Sequence, residues 1–186
     1  MRLRSYLVDQ KEENMTKKEL LKKSLDVRLY KRNIMLVLIV YIIIMALSLL
    51  FMTGRMYTYA VERVRALVTF STVIGVLLLG YFVFRIWLTI TASEQCVFYK
   101  ASLGETHFKY YGTYFTVYLK EGEDESVAVN TGALFTERYG GVFHLEEWKY
   151  KTALVAYNEE EKIAYVIGLA SDYPDIDLDK LNSKDE

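Results

Sequence analysis

The sequence has little of what a catalytic or covalently braced protein needs. Cys96 is its only cysteine, so a disulfide within one chain is excluded, which fits a reducing compartment. Two histidines are present, His107 and His144. Neither stands at metal-ligand spacing from Cys96 or from the other, which argues against a zinc centre. Pro174 is the single proline, so no proline-rich linker divides the chain. A phosphate-binding loop, a dinucleotide fingerprint and a nucleophile elbow are all missing. Gly140-Gly141 is an isolated pair that fits a turn. An enzymatic function therefore has no activated nucleophile, acid–base pair or cofactor loop to rest on, and no cofactor or metal is expected.

Charge is missing from two long stretches. Asn33–Met52 has twenty residues without a charge, and Ala66–Phe84 has nineteen. At the rise of an α-helix the first covers about 30 Å, the thickness of a bilayer core. Gly54 supplies a stop after it. The second continues to about residue 90, with Arg85 placed to snorkel and Trp87 to sit at headgroup level. Length and the absence of a polar face exclude two core helices of a soluble protein. The expectation is two spans, at 33–52 and 66–90, within a membrane region 33–92 and joined by an outer loop at 53–65. Some thirty mostly polar residues before the first span argue for an uncleaved anchor over a signal peptide. Neither span holds an ionisable residue before Arg85, which argues against a proton relay or charged pore within one chain. Ser71 and Gly75 stand four apart, with Gly80 one turn on, and small residues at this spacing let helices approach closely. They predict a packing face for the first span, a second copy or another subunit.

The near-neutral total, net −1, conceals a segregation: residues 1–92 carry net +8 and residues 93–186 net −9. Lys17, Lys18, Lys22, Lys23, Arg28, Lys31 and Arg32 precede the first span, against Arg55, Arg63 and Arg65 in the loop. The positive-inside rule then puts both termini in the cytoplasm of a two-span plasma-membrane protein. In the arm, residues 1–32, Thr16-Lys17-Lys18-Glu19 matches a capping box, and Leu21, Leu25 and Leu29 recur every four residues. A basic amphipathic helix over 17–31 is predicted at the inner leaflet. Its cations and Arg85 would contact anionic headgroups, each contributing about 1 kcal/mol. The plainer alternative is that they only set topology.

From residue 95 short strand-like runs replace the helices: 95–102, 107–111, 113–120, 126–135, 151–157 and 162–169, with breaks at Leu103-Gly104-Glu105, Gly112, Glu121–Glu125 and Gly140-Gly141. The clearest hairpin joins Thr152–Tyr157 to Ile163–Leu169 through Asn158–Glu161. Phe143–Trp148 fits either a strand or one helical turn. A mainly-β cytoplasmic domain over 93–170 is expected, an SH3-like or OB-like barrel or else a PH-like fold. Its acidic balance disfavours a nucleic-acid partner. Ten of the sixteen tyrosines lie in this half. Tyr110, Tyr111 and Tyr139 flank turns and are candidates for partner binding, the alternative being half-buried strand tyrosines with wet hydroxyls. Residues 171–186 read as an acidic, solvated tail. Asp175, Asp177, Asp179, Ser183 and Glu186 approach a calcium-loop spacing, but Lys180 stands where glycine is required and Asn182 where an apolar residue is usual.

Together these features predict a non-enzymatic membrane protein, an accessory or scaffold subunit whose β domain binds a protein partner. The competing expectations are a membrane-surface sensor that reads anionic lipid through the basic arm, and an oligomeric transport subunit self-associating through its spans. The expected partners are the lipid bilayer and a protein or second copy.

Overall fold

The computed structural model describes residues 15–53, 57–109, 112–121, 125–132 and 145–183. The chain divides into two compact units: Tyr30–Trp87, and Met1–Leu29 with Leu88–Glu186.

The first unit is helical. Helix α2 spans Leu25–Thr53 and helix α3 spans Tyr57–Thr91. Both are long and apolar enough to cross a membrane. The segment expected as a loop at 53–65 is helical from Tyr57 onward. At 35 residues α3 measures about 52 Å, well beyond a bilayer core. Side chains that water would not tolerate in such number point outward, Met35, Leu50, Phe70 and Leu77 each being 64–68% exposed. One polar tie joins the helices at mid-length. Thr72 donates its hydroxyl proton to the Val68 carbonyl at 2.7 Å, so its oxygen accepts from the Tyr41 hydroxyl at 3.1 Å. Ser48 and Ser71 likewise satisfy their hydroxyls on carbonyls of their own helix, Ile44 and Val68, as a polar group in an apolar setting must.

The second unit is a closed barrel of five strands: β1 (Cys96–Lys109), β2 (Gly112–Glu121), β3 (Glu125–Thr131), β4 (Thr152–Asn158) and β5 (Ile163–Leu169). The order around the barrel is β1-β2-β3-β5-β4, and β4 returns to β1. Neighbours are antiparallel except β3 and β5, which close the barrel in parallel through Asn130–Ile163 and Thr131–Ala164. The expected hairpin of β4 and β5 is present. The first two candidate strands form one strand. Leu103-Gly104-Glu105 is a register shift in β1, a bulge that bends a strand long enough to pair with β4 at one end and β2 at the other. Glycine is needed there because a Cβ at 104 would stand 2.6 Å from the Tyr118 ring. Strand β2 alternates as a half-covered strand should, with Phe115, Val117 and Leu119 inward and Tyr118 outward.

The predicted helix over 17–31 is broken in two. Helix α1 (Lys17–Leu21) starts at the full capping box of Thr16 and Glu19. The chain then turns, and buried Ser24 accepts the Val27 amide proton on its Oγ at 3.4 Å at the start of α2. This break aims the leucines in two directions. Leu25 and Leu29 enter the barrel interior beside Phe115, Val117 and Val155. Leu20 and Leu21 cover the outside of β4 and β5, with Phe98, Leu154 and Ile167.

The tail also packs. Tyr173, Ile176 and Leu181 join that outer layer, while Asp172, Asp175, Asp177 and Asp179 stay exposed. Asp177 caps the short helix α4 (Leu178–Asn182), accepting from the amides of Asp179 and Lys180 at 3.1 and 3.2 Å. Asn182 then bonds the free edge of β1: its Oδ1 accepts from Phe98 N at 2.9 Å, and its Nδ2 donates to Phe98 O at 3.0 Å. A side-chain amide thus stands in for a neighbouring strand on an edge that would otherwise be open.

Candidate functional site

Among the described residues the barrel has one covered flank and one uncovered flank. Around β4, β5 and the first half of β1 both faces are buried, the inner by the barrel core and the outer by α1 and the tail. The covered flank holds unusual ionisable groups. Burial first, and then the Glu161 carboxylate, push the Cys96 thiol up to about 12, with Lys17 opposing. Burial and the hydrogen bond to Glu161 at 3.0 Å also raise the Tyr165 hydroxyl. At neutral pH the thiol is therefore held in its protonated form. Asn158, fully buried, closes the β4–β5 turn by accepting from the amides of Glu160 and Glu161 at 3.0 and 3.1 Å. These groups brace the fold. Among the described residues no group of three or more His, Cys, Asp or Glu is placed to hold a metal ion.

The uncovered flank is the outer face of β2, β3 and the second half of β1. His107 and Tyr114 are cross-strand partners whose rings stack at 5.4 Å. Tyr118, 41% exposed, lies against Gly104. Tyr150, the most exposed aromatic among the described residues at 71%, joins this face through its hydroxyl, which donates to Glu105 Oε1 at 3.2 Å. Its backbone is left-handed, φ 58°, a conformation that costs a bulky residue about 1–3 kcal/mol. The backbone is held there by hydrogen bonds at the bulge: Tyr150 N donates to Leu103 O at 2.9 Å, and Leu103 N to Lys151 O at 3.0 Å. The Glu105 charge raises the Tyr150 hydroxyl above its ordinary range.

The residues expected to act are distributed as follows. Tyr110, Tyr111 and Tyr139 lie outside the described residues. Of the basic arm, Lys18 pairs with Glu94 at 2.8 Å, an exposed contact contributing at most about 1 kcal/mol. Lys23 donates to the Met15 sulfur at 3.3 Å and sits over the Tyr173 ring, 5.4 Å from its centre. Lys17 is half-buried, and Lys22, Arg28 and Lys31 are exposed. In the helical unit, Arg32 buries its Nε and Nη1 without a hydrogen-bond partner. Arg85 donates from Nε to the Tyr30 hydroxyl at 3.2 Å, its guanidinium 5.7 Å from that ring. Ser71 and Gly75 line an apolar groove of about 470 Å³ between α2 and α3, with Val37, Tyr41 and Phe70. Gly80 is not among its lining residues, and a Cβ at either glycine would meet nothing within 4 Å.

Sequence reasoning missed Tyr118, Tyr150 and Glu105 as a group. Tyr118 reads as an ordinary strand residue, and Tyr150 follows Trp148-Lys149 with no turn signature. Only the bulge at Gly104 brings them together. No family model matches the sequence, and no curated protein or solved structure is significantly similar to it.

Proposed function

We propose that this chain is a two-span plasma-membrane protein with both termini cytoplasmic, and that it works without catalysis as an accessory or scaffold subunit. Its barrel binds a protein partner within a larger membrane assembly. The observation that carries this is the unequal covering of the barrel: one flank is sealed by the chain's own arm and tail, and the other presents tyrosines to solvent. Surface aromatics of this kind favour association. Two further features support the reading. The apolar exterior of α2 and α3 calls for lipid around it, and the charge bias across α2 favours a cytoplasmic arm. Among small barrels, the strand order with its parallel β3–β5 closure favours an OB-type fold, in which the β2–β3 side is the usual binding face. The net −9 of residues 93–186 favours protein over nucleic acid as the occupant.

The test is purification of the tagged chain from its native membrane in mild detergent, with identification of what accompanies it. A protein at near-equal stoichiometry is expected. Anionic lipid alone would overturn the proposal and move the weight to a membrane-surface sensor. That sensor is favoured by exposed Lys22, Arg28 and Lys31. Its vesicle binding would then fall with salt and with neutralisation of Lys17, Lys18, Lys22 and Lys23.

A further inference from the structure

On the uncovered flank three side chains from separate parts of the barrel converge. Tyr118 comes from β2, Glu105 from the bulge of β1, and Tyr150 from the turn before β4. Gly104 gives the Tyr118 ring room against β1, and the Tyr150 hydroxyl holds Glu105 Oε1 at 3.2 Å. Apart from that bond, no described residue engages the Glu105 carboxylate. Tyr118 stands close enough to influence the Tyr150 hydroxyl electrostatically. The left-handed Tyr150 presents an exposed ring at a position where glycine or asparagine would relieve the strain.

We propose that Tyr118, Tyr150 and Glu105 form a docking site for arginine or lysine side chains presented by a basic segment of a protein partner. A carboxylate beside two tyrosine side chains is suited to a guanidinium or ammonium group. Rigid aromatic rings with few rotamers lose little entropy on binding, as interface anchors should. The acidic balance of the domain, eighteen Asp/Glu against nine Lys/Arg in residues 93–186, attracts a cationic segment and repels an acidic one. Lys149 adds an opposing charge beside Tyr150. It weakens any single contact, so the fitting partner carries several cations in a row. The inference rests on the partner-binding function proposed above and gives that partner its chemistry.

The experiment uses the full chain in detergent micelles with isotope-labelled tyrosine rings, titrated with the peptide Gly-Arg-Gly-Arg-Gly-Arg-Gly. A second titration replaces arginine by citrulline, which keeps the shape and removes the charge. Saturable shifts of the Tyr118 and Tyr150 signals are expected with arginine. Affinity should weaken about tenfold or more with citrulline, with Glu105→Gln and with Tyr118→Ala. Thr116→Ala, on the same face, should leave it unchanged. Tyr150→Phe keeps the ring but frees Glu105, and should weaken binding less than Tyr118→Ala. Equal binding of the citrulline peptide, unchanged binding in Glu105→Gln, or no shift at all would overturn the site. A native partner that still co-purifies undiminished with Glu105→Gln would also overturn it, while leaving the partner-binding function standing.

Discussion

The two flanks of the barrel are built from the same kind of strand but are buried to different extents. On the β4–β5 flank Leu154, Ala156 and Ile167 have no exposed surface, because α1 and the tail lie over them. On the β2–β3 flank Tyr118, Ala128 and Asn130 face outward with nothing described above them. Strand β1 belongs to both: Phe98 is sealed and His107 is exposed, and the bulge at Gly104 lies between the two conditions. Stability is therefore concentrated on one side, and the proposed recognition surface is the other. A flank already covered by its own chain has no surface left for a partner, whereas an open face can change residues at little cost to the fold.

The largest effect that would break this comparison is a charge on the covered flank. Ile167→Asp buries an uncompensated carboxylate and should destabilise the barrel by more than about 4 kcal/mol. The matched Thr116→Asp on the open face should stay within about 0.5 kcal/mol. Denaturant unfolding in detergent distinguishes the two, and equal costs would dissolve the distinction between flanks.

Next in size is the tail. Asn182→Ala removes both bonds to Phe98 and leaves its amide and carbonyl without them, a loss of about 1–3 kcal/mol. Proteolysis should then cut the tail near Pro174 well before the barrel opens, whereas Ser183→Ala should not change the cutting.

The covered flank should also be sensitive to alkali. Cys96 ordinarily titrates near 9, and in the fold it is held at about 12. The folded state keeps the proton more tightly than the unfolded chain. Its contribution to stability is therefore full below about pH 9 and is lost as pH rises towards 12. Tyr165, raised by burial and Glu161, acts in the same direction. Stability measured from pH 8 to 12 should fall less steeply in Cys96→Ala than in the parent chain. Parallel curves would show that the thiol is not sealed.

The smallest effect lies in the helical unit. Tyr41→Phe removes the mid-length hydrogen bond between the side chains of α2 and α3, expected to cost about 0.6 kcal/mol. A crosslinking or energy-transfer measurement between the helices should register a slight loosening.

Much of this architecture is written in local patterns. The two uncharged runs announce α2 and α3, and the alternation of Thr152–Tyr157 and Ile163–Leu169 announces the hairpin of β4 and β5. What escapes is whatever depends on the identity of a neighbour. The leucines at 21, 25 and 29 signal an apolar face, but periodicity does not say whether lipid or a barrel interior covers it. Ser24 turns the chain between them, and its capping role is visible only beside the Val27 amide. The carboxylates of residues 172–179 hide the wider spacing of Tyr173, Ile176 and Leu181, the face that binds the barrel. Leu103-Gly104-Glu105 looks like a turn because glycine marks bulges and turns alike. The proposed docking cluster is invisible for the same reason, since its three side chains meet only across that bulge.

The central claim is that the barrel core is incomplete without the beginning of helix α2. The most direct measurement is the unfolding midpoint of the barrel in the full chain. It is followed by Trp148, which packs against the core, after Trp87→Phe has removed the other tryptophan. Leu25→Ala and Leu29→Ala should each lower barrel stability by about 2–5 kcal/mol, the cost of a cavity in a sealed core. An unchanged midpoint in both variants would mean that the leucines are not part of the core, and would contradict the account.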